Sequence, residues 1–496
     1  MSRNIVIAGQ AGFSYGGFLF GQAARFGYNL LVARLLGAEF LGVYALAVAV
    51  IQIAEMIAVI GLDSALLRYI NVYSDDSARQ RKVIGSALKI SLFVSLSVST
   101  LLLVLSQDIA STLHGKGLLR LAICCYAAAV PFNAATLLFG HAIQGFRRLQ
   151  PKVTATQVVS PLLLLLLTIV LRYTAGFEAA LLFPFALSAA GTFLWIRPYL
   201  AEYTGTTGKD IAAAPFDSTI LAYALPFMFI SLLSMIMHWL DIVMLGAFTD
   251  TATVGLYHPA ARTAGIVRSV FLAFSGIAAP MIAELHTAKK YIEIARIFRM
   301  ITRWIITLII PPVILFIFMP ETVLGMFGPQ FTSGSMALIL LSISAFFQAG
   351  LGLSTTVLAM TGYSKLSLAN SLGALLLQIV LNLLLIPRMG FNGAALANLL
   401  VFFLLAAVRL MQVHNLFDIH PFVKSLWKPF IAGLITAGTL IAVRPWLVTF
   451  PFIGGLIPGA FVTVAVYTAL LLVLKLEEDE REIILKIFPF LKNEAG

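Results

Sequence analysis

Seven ionisable side chains sit where lipid hydrocarbon is expected, and they pose the chemical question of this sequence. Arg25, Arg34, Lys89, Arg262 and Arg268 fall inside long apolar runs, as do Glu55 and Asp241. A charge near the middle of a bilayer costs roughly 2.5–3.5 kcal/mol on insertion scales, so it tends to face a cavity or a partner. Arg34 and Lys89 lie near the ends of their runs, where a long stem carries the charge to the interface. Arg25 lies mid-run, with Gln22 three residues before and Asn29 four after on the same helical face. That polar stripe suits a wet cavity. In a later run Ser231, Ser234, His238 and Asp241 share one face. Asp241 either pairs with Arg262 or binds a coupling cation or proton, and His238 is either a satisfied polar residue or a proton relay. The mid-run charges are Arg25, Arg262 and Arg268 against Glu55 and Asp241. A cationic balance suits an anionic cargo, because arginine's planar fork matches phosphate oxygens.

Other chemistry is missing. There is no G-x-x-x-x-G-K-[ST] loop for a nucleotide and no H-E-x-x-H metal motif. Cys124 and Cys125 are adjacent in an apolar run and supply neither a disulfide framework nor metal-ligand spacing. No catalytic group, metal or cofactor is expected, so energy must come from an ion gradient, the membrane potential or the cargo's own gradient. The pI near 9.6 does not point to nucleic acid, because the positive charge is scattered between apolar runs.

The elements that position these residues are membrane spans. Of 496 residues, 60% are hydrophobic and 11% charged, with a mean hydropathy of +0.97; soluble chains carry about a quarter charged residues. A helix needs about 20 apolar residues to cross the hydrocarbon. Fourteen runs qualify: 12–36, 40–62, 83–105, 118–140, 153–171, 179–197, 219–246, 254–282, 304–320, 335–360, 367–386, 392–413, 426–443 and 452–474. The N-terminus has no compact apolar core with a cleavage site and reads as an uncleaved start. With that end inside, twenty-three of the 33 Lys and Arg fall on inner segments and five on outer ones. Lys/Arg bias sets orientation, so both termini are expected on the cytoplasmic side. The outer loops are too short for an enzyme domain.

The chain also repeats itself. Leu36-Gly37-Ala38 with Gly42-Val43-Tyr44 returns as Leu245-Gly246-Ala247 with Gly255-Leu256-Tyr257. Gly145-Phe146-Arg147-Arg148-Leu149 returns as Gly362-Tyr363-Ser364-Lys365-Leu366, and Gly176-Phe177 returns as Gly390-Phe391. Six spans per half make the halves parallel, related by an axis along the membrane normal. The expected fold is all-α and polytopic, with about 14 transmembrane helices in two six-helix lobes of pseudo-twofold symmetry and two added helices. Its parts are lobe 1–198, cytoplasmic linker 199–218, lobe 219–414, helices thirteen and fourteen in 415–474, and a cytoplasmic tail 475–496 that reads as a surface helix or cap.

The segments LLVARLLGAEFLGVYALA (30–47), LPFMFISLLSMIMHWLDIVMLGAF (225–248), VGLYHPAAR (254–262) and NLLLIPRMGFNGAALA (382–397) resemble the polysaccharide flippases of the multidrug/oligosaccharidyl-lipid/polysaccharide exporter superfamily. The resemblance covers nearly the whole chain. It implies alternating access that moves a polyprenyl-diphosphate-linked oligosaccharide across the cell membrane for polysaccharide biosynthesis. The diphosphate would then lie near Arg25, Arg262 and Arg268, with Gln22, Asn29, Glu55, His238 and Asp241 as cavity or ion-coupling groups for Na+ or H+. A drug/cation antiporter of the same superfamily is the nearest alternative, and a membrane polysaccharide ligase or glycosyltransferase is a more distant one. A major-facilitator transporter fits poorly, because the loop after the second span reads GLDSALLRYINVYSDDSARQRK and lacks the expected Gly/Asp/Arg motif.

The repeat offset of 213 (Tyr44 to Tyr257) carries Glu55 onto Arg268, so the equivalent spans hold opposite charges at one depth. The two are expected to pair in at least one state. A double-mutant cycle with Glu55→Ala and Arg268→Ala should then give non-additive melting temperatures, and simple additivity removes the pair.

Overall fold

The computed structural model describes residues 3–115, 117–450 and 452–474; the tail 475–496 lies outside them. Every regular element among these residues is a helix. This follows from the solvent, because a chain in hydrocarbon must satisfy its backbone N–H and C=O groups internally. Among the described residues eleven helical segments are long and apolar enough to cross a membrane, or twelve when a pair bent by 40° is taken as one span. The two further runs foreseen, 12–36 and 179–197, are helical but are not among these.

By contacts the chain divides into two compact units. The first comprises Met1–Pro259 with Ile379–Ala394. It holds α1 (Arg3–Leu36), α2 (Ala38–Val59), α3 (Leu62–Val72), α4 (Ser77–Thr112), α5 (Gly117–Ala127) and α6 (Val130–Gly145). After these come α7 (Gln150–Val153), a π-helical turn at Thr154–Val159, α8 (Ser160–Thr174), α9 (Phe177–Leu182) and α10 (Pro184–Thr204). The short α11 (Gly208–Ala213), α12 (Ser218–Phe248) and the opening of α13 (Thr251–Thr287) complete its main run. The second unit comprises Ala260–Gln378 with Ala395–Gly496. Its helices include the rest of α13, then α14 (Tyr291–Phe318), α15 (Pro320–Gly325), α16 (Ser335–Gly350) and α17 (Leu353–Met360). Most of α18 (Ser364–Met389) and α19 (Phe391–Phe417) follow, with α20 (Trp427–Leu447) and α21 (Phe452–Val473).

Within the first unit, α6 packs on α3, α4 and α10, and α2 packs on α12. The α5–α6 pair is the bent one; Pro131 opens α6, where its missing N–H costs nothing. Ile60 and Gly61 both take left-handed backbone (φ 53° and 71°) and turn α2 into α3. A Cβ at Gly61 would strike the Ala224 carbonyl of α12, so this turn requires glycine on two counts. Within the second unit, α14 packs on α16 and α20, and α20 packs on α21.

The segment between α10 and α12 is a built element. Thr207 and Asp210 form a capping box on α11, and the Thr207 hydroxyl and N–H hold the Asp210 carboxyl below its usual range. At the other end Lys89 Nζ donates to the carbonyls of Ala212 and Ala214 (3.1 and 3.0 Å). A cation on the last carbonyls of a helix is the favourable placement. Lys89 therefore ties α4 to α11.

The tightest crossing in the first unit is reciprocal. A Cβ on Gly42 would strike the Thr251 carbonyl and the Gly255 nitrogen, and a Cβ on Gly255 would strike the Ala38 carbonyl and the Gly42 nitrogen. Backbone thus meets backbone between α2 and α13, at two glycines that the repeat makes equivalent. Without a hydrophobic force between helices in lipid, small residues that allow such approach supply the packing. Gly42→Ala and Gly255→Ala should each destabilise by about 1–3 kcal/mol through overpacking. The double variant should cost less than the sum, because one separation of the helices relieves both clashes. Additive losses of melting temperature would contradict the reciprocal contact.

Candidate functional site

The polar groups of the first unit converge on α1. Arg25 is half-buried there, and its guanidinium donates to Gln157 Oε1 and, at 3.4 Å, to the Thr156 carbonyl. Both acceptors belong to the π turn. A π turn frees backbone groups from the regular ladder and is common where a helix serves a site. Gly21, one turn before Arg25, leaves the space that the Gln157 side chain fills. Both partners of Arg25 are neutral, and among the described residues it makes no ion pair. Its partners therefore position the guanidinium without cancelling its charge, which stays available to an anion.

Asn29 extends the stripe. Its Nδ2 donates to the Arg25 carbonyl (2.7 Å), and its Oδ1 lies 2.9 Å from His258 Nε2. His258 is 1% exposed. It stacks on Trp239 with ring centroids 6.3 Å apart and planes 6° apart, and Tyr44 meets it edge-on. Trp239 Nε1 donates to Gln52 Oε1 at 3.1 Å. One residue before His258, the Tyr257 hydroxyl donates to Asp241 Oδ2 (3.4 Å), and Asn382 Nδ2 donates to Asp241 Oδ1 (3.0 Å). Asp241 is buried, and Asn382 Oδ1 is buried with no hydrogen-bond partner among the described residues. Two adjoining networks result, one through Asn29 and His258 and one through Asp241, Tyr257 and Asn382.

The remaining foreseen residues are more dispersed. Gln22 is half-buried and makes no side-chain hydrogen bond among the described residues. Glu55 Oε1 accepts from Asn133 Nδ2 at 2.6 Å. His238 is exposed and lies edge-on to Trp239. In the second unit Arg262 and Arg268 are both half-buried on α13.

Three participants escaped sequence reasoning. Gln157 carried no signal, being one polar residue near a span start. His258 carried a faint one: the repeat places it opposite Ala45, so it departs from the pattern. Arg409 fell among the inner-side cations; in the second unit its guanidinium donates to Thr355 Oγ1 (2.9 Å) and Ser371 Oγ (3.2 Å).

The Asn29–His258 bond gives a direct test. Asn29→Leu leaves a buried ring nitrogen without its partner and should cost about 1–3 kcal/mol. Adding His258→Leu should recover part of that loss in the melting temperature. No recovery would mean that the bond contributes little.

Comparison with known proteins agrees with this architecture. Residues 11–286 match the family described as polysaccharide biosynthesis protein. The probable flippase AglR of Haloferax volcanii is 27% identical over 219 residues, covering 42% of this chain and 45% of that protein. The probable low-salt glycan biosynthesis flippase Agl15 of the same organism is 24% identical over 238 residues, 47% of this chain and 50% of that protein. The chain thus spans about half the length of the curated relatives it matches. Among solved structures, the lipid II flippase MurJ in an inward closed conformation superposes with a TM-score of 0.74 at 15% identity, covering 92% of this chain and 97% of that one. An inward-facing multidrug resistance MATE transporter gives 0.66 at 17% identity, over 80% and 94%. These likenesses establish the fold. The family match spans more than half of the 496 residues, and this chain belongs to the polysaccharide biosynthesis protein family.

Proposed function

We propose that this protein is a flippase that moves a polyprenyl-diphosphate-linked oligosaccharide from the inner to the outer leaflet by alternating access. In this reading it is a transporter, and it sits in the cytoplasmic membrane with both termini inside, as fourteen crossings arranged in two six-helix lobes and two added helices. The observation that carries the reading is Arg25, a guanidinium in the first expected span whose protein partners are two neutral oxygens. Such a charge is costly to keep in a span and is repaid when a diphosphate arrives, by charge-assisted hydrogen bonds. Arg262 and Arg268 are proposed as further phosphate ligands. Two relatives named as flippases support the same direction. The lipid tail would stay in the bilayer while the sugar head passes through the protein.

Asp241 is proposed as the group that couples transport to Na+ or H+. Its support is the neighbouring Asn382 Oδ1, a buried oxygen with an open lone pair beside a buried carboxylate. Glu55, bonded to Asn133, is a second possible coupling group. A drug/cation antiporter is the competing reading, favoured by the MATE structural neighbour and by the same carboxylate.

The experiment is thermal stabilisation of the detergent-purified protein by a polyprenyl-diphosphate oligosaccharide, with bare polyprenol and lipophilic cations as controls. Ligand at 100 times its Kd should stabilise by about 2.7 kcal/mol. That shift should be lost in Arg25→Gln and kept in Asp241→Asn, whereas Asp241→Asn should abolish Na+ or pH dependence of transport in liposomes. Stabilisation by lipophilic cations alone would replace the flippase by the antiporter. Unchanged ion dependence in Asp241→Asn would remove the coupling role.

A further inference from the structure

The second unit carries a cationic cavity that the cargo mechanism does not use. Arg296, Arg299 and Arg303 recur at spacings of three and four, which puts them on one face of α14. They line a cavity of about 550 Å³ closed on its far side by the connection that follows α19. Along the face they pass from exposed Arg296 through half-buried Arg299 to Arg303, 8% exposed. The two deeper forks are aimed by bonds to neutral acceptors. Arg299 Nε donates to the His420 carbonyl (3.1 Å) and Arg303 Nη1 to Ser425 Oγ (3.2 Å). Among the described residues neither Arg296 nor Arg299 makes an ion pair. The carboxylate at the edge, Asp418, is 97% exposed and faces His414 at 3.7 Å.

Three like charges on one helical face repel one another, and an anion between them removes the repulsion. The rim identifies the kind of anion. Tyr291 and Phe417 stack at its edge with centroids 6.0 Å apart, and Ile292 beside them is 82% exposed. Phe422 and Trp427, flanking the lining residues Val423 and Ser425, are 56% and 48% exposed. Exposed aromatic and aliphatic groups around a cationic pocket at a helix end suit the interfacial layer of a bilayer. A soluble anion would have no use for that apolar rim.

We propose that this cavity binds the phosphate of an anionic membrane phospholipid, separately from the cargo. The phosphate lies between Arg296 and Arg299, with Arg303 beneath, while the acyl chains run outward over Ile292 and the aromatic rim. The bound lipid links α14 to the connection between α19 and α20. Its assignment to the inner leaflet rests on the orientation proposed above; the binding chemistry does not. Basic pockets of this kind on the inner side are the expected sites for anionic headgroups.

The test is native mass spectrometry of the full-length protein with equimolar phosphatidylglycerol and phosphatidylcholine, beside melting temperatures with each lipid. The wild type should retain phosphatidylglycerol preferentially. The double variant Arg296→Gln/Arg299→Gln should hold it about tenfold more weakly, the scale of one lost hydrogen bond to a charged group. Both positions are on the accessible part of the face, so folding is checked by the unliganded melting temperature, and Arg296→Gln alone serves if the double variant is unstable. Arg25→Gln should lose the cargo shift yet keep the phosphatidylglycerol shift, so failure here is distinct from failure of the flippase reading. Equal retention of phosphatidylcholine, or full retention by the Arg296 and Arg299 variants, would overturn the proposal. An equal shift from inorganic pyrophosphate alone would make this a free-anion site, and competition by cargo alone would make it part of the cargo path; either result also overturns it.

Discussion

A guanidinium held by uncharged oxygens is the arrangement around which the first unit is organised. Arg25 needs acceptors, because an unsatisfied charge in a low-dielectric interior is far more costly than a neutral polar group. A carboxylate would satisfy it and also cancel it. The chain instead supplies Gln157 and the Thr156 carbonyl from a π turn. The backbone carbonyl of the same arginine then receives Asn29, which meets His258, which stacks on Trp239. In a buried network of this kind each member's orientation is fixed by the next, so the loss of one affects the others. The result is a positive charge of defined position and direction.

That network depends on how near α13 comes to α2. The Gly42–Gly255 crossing is set by backbone atoms, which leave no side-chain slack at that point. Immediately beyond the glycine of α13 come Tyr257 and His258, whose bonds to Asp241 and Asn29 require that approach. The crossing joins equivalent positions of the internal repeat, in the reciprocal manner of a twofold contact. Charge is treated differently where water is near. Lys89 places its charge on the last carbonyls of α11, and the arginines of α14 line an open cavity.

Much of the arrangement was legible in the chain. The Gln22–Arg25–Asn29 stripe identified the face of α1 that carries the polar groups, and Asn29 does bond there. Asn133, Asn382 and Asn398 bond between helices, with Glu55, Asp241 and Ser344. Gln348 bonds within its own helix, to Ser344 Oγ. The histidine that joins Asn29 is His258, whereas the sequence drew attention to His238. The reason is geometric: His238 shares a face with Asp241 by spacing alone, but burial is decided by which neighbouring helix covers that face. Arg409 was read as an inner-side charge because it lies near a span end, yet Thr355 and Ser371 hold it within the second unit.

Composition, hydrophobic run length and helical spacing determined that this chain is an all-helical membrane protein and which residues share a face. These are properties of one helix in hydrocarbon, and the physics of satisfying the backbone there allows little else. Tertiary structure alone decided the partners. Whether Arg25 meets a carboxylate or an amide depends on the rotation and depth of the facing helix, and here also on one π turn that shifts Gln157 around its axis. Neither quantity is encoded in any local pattern, because each is fixed by side-chain volumes and glycine gaps on the opposing surface.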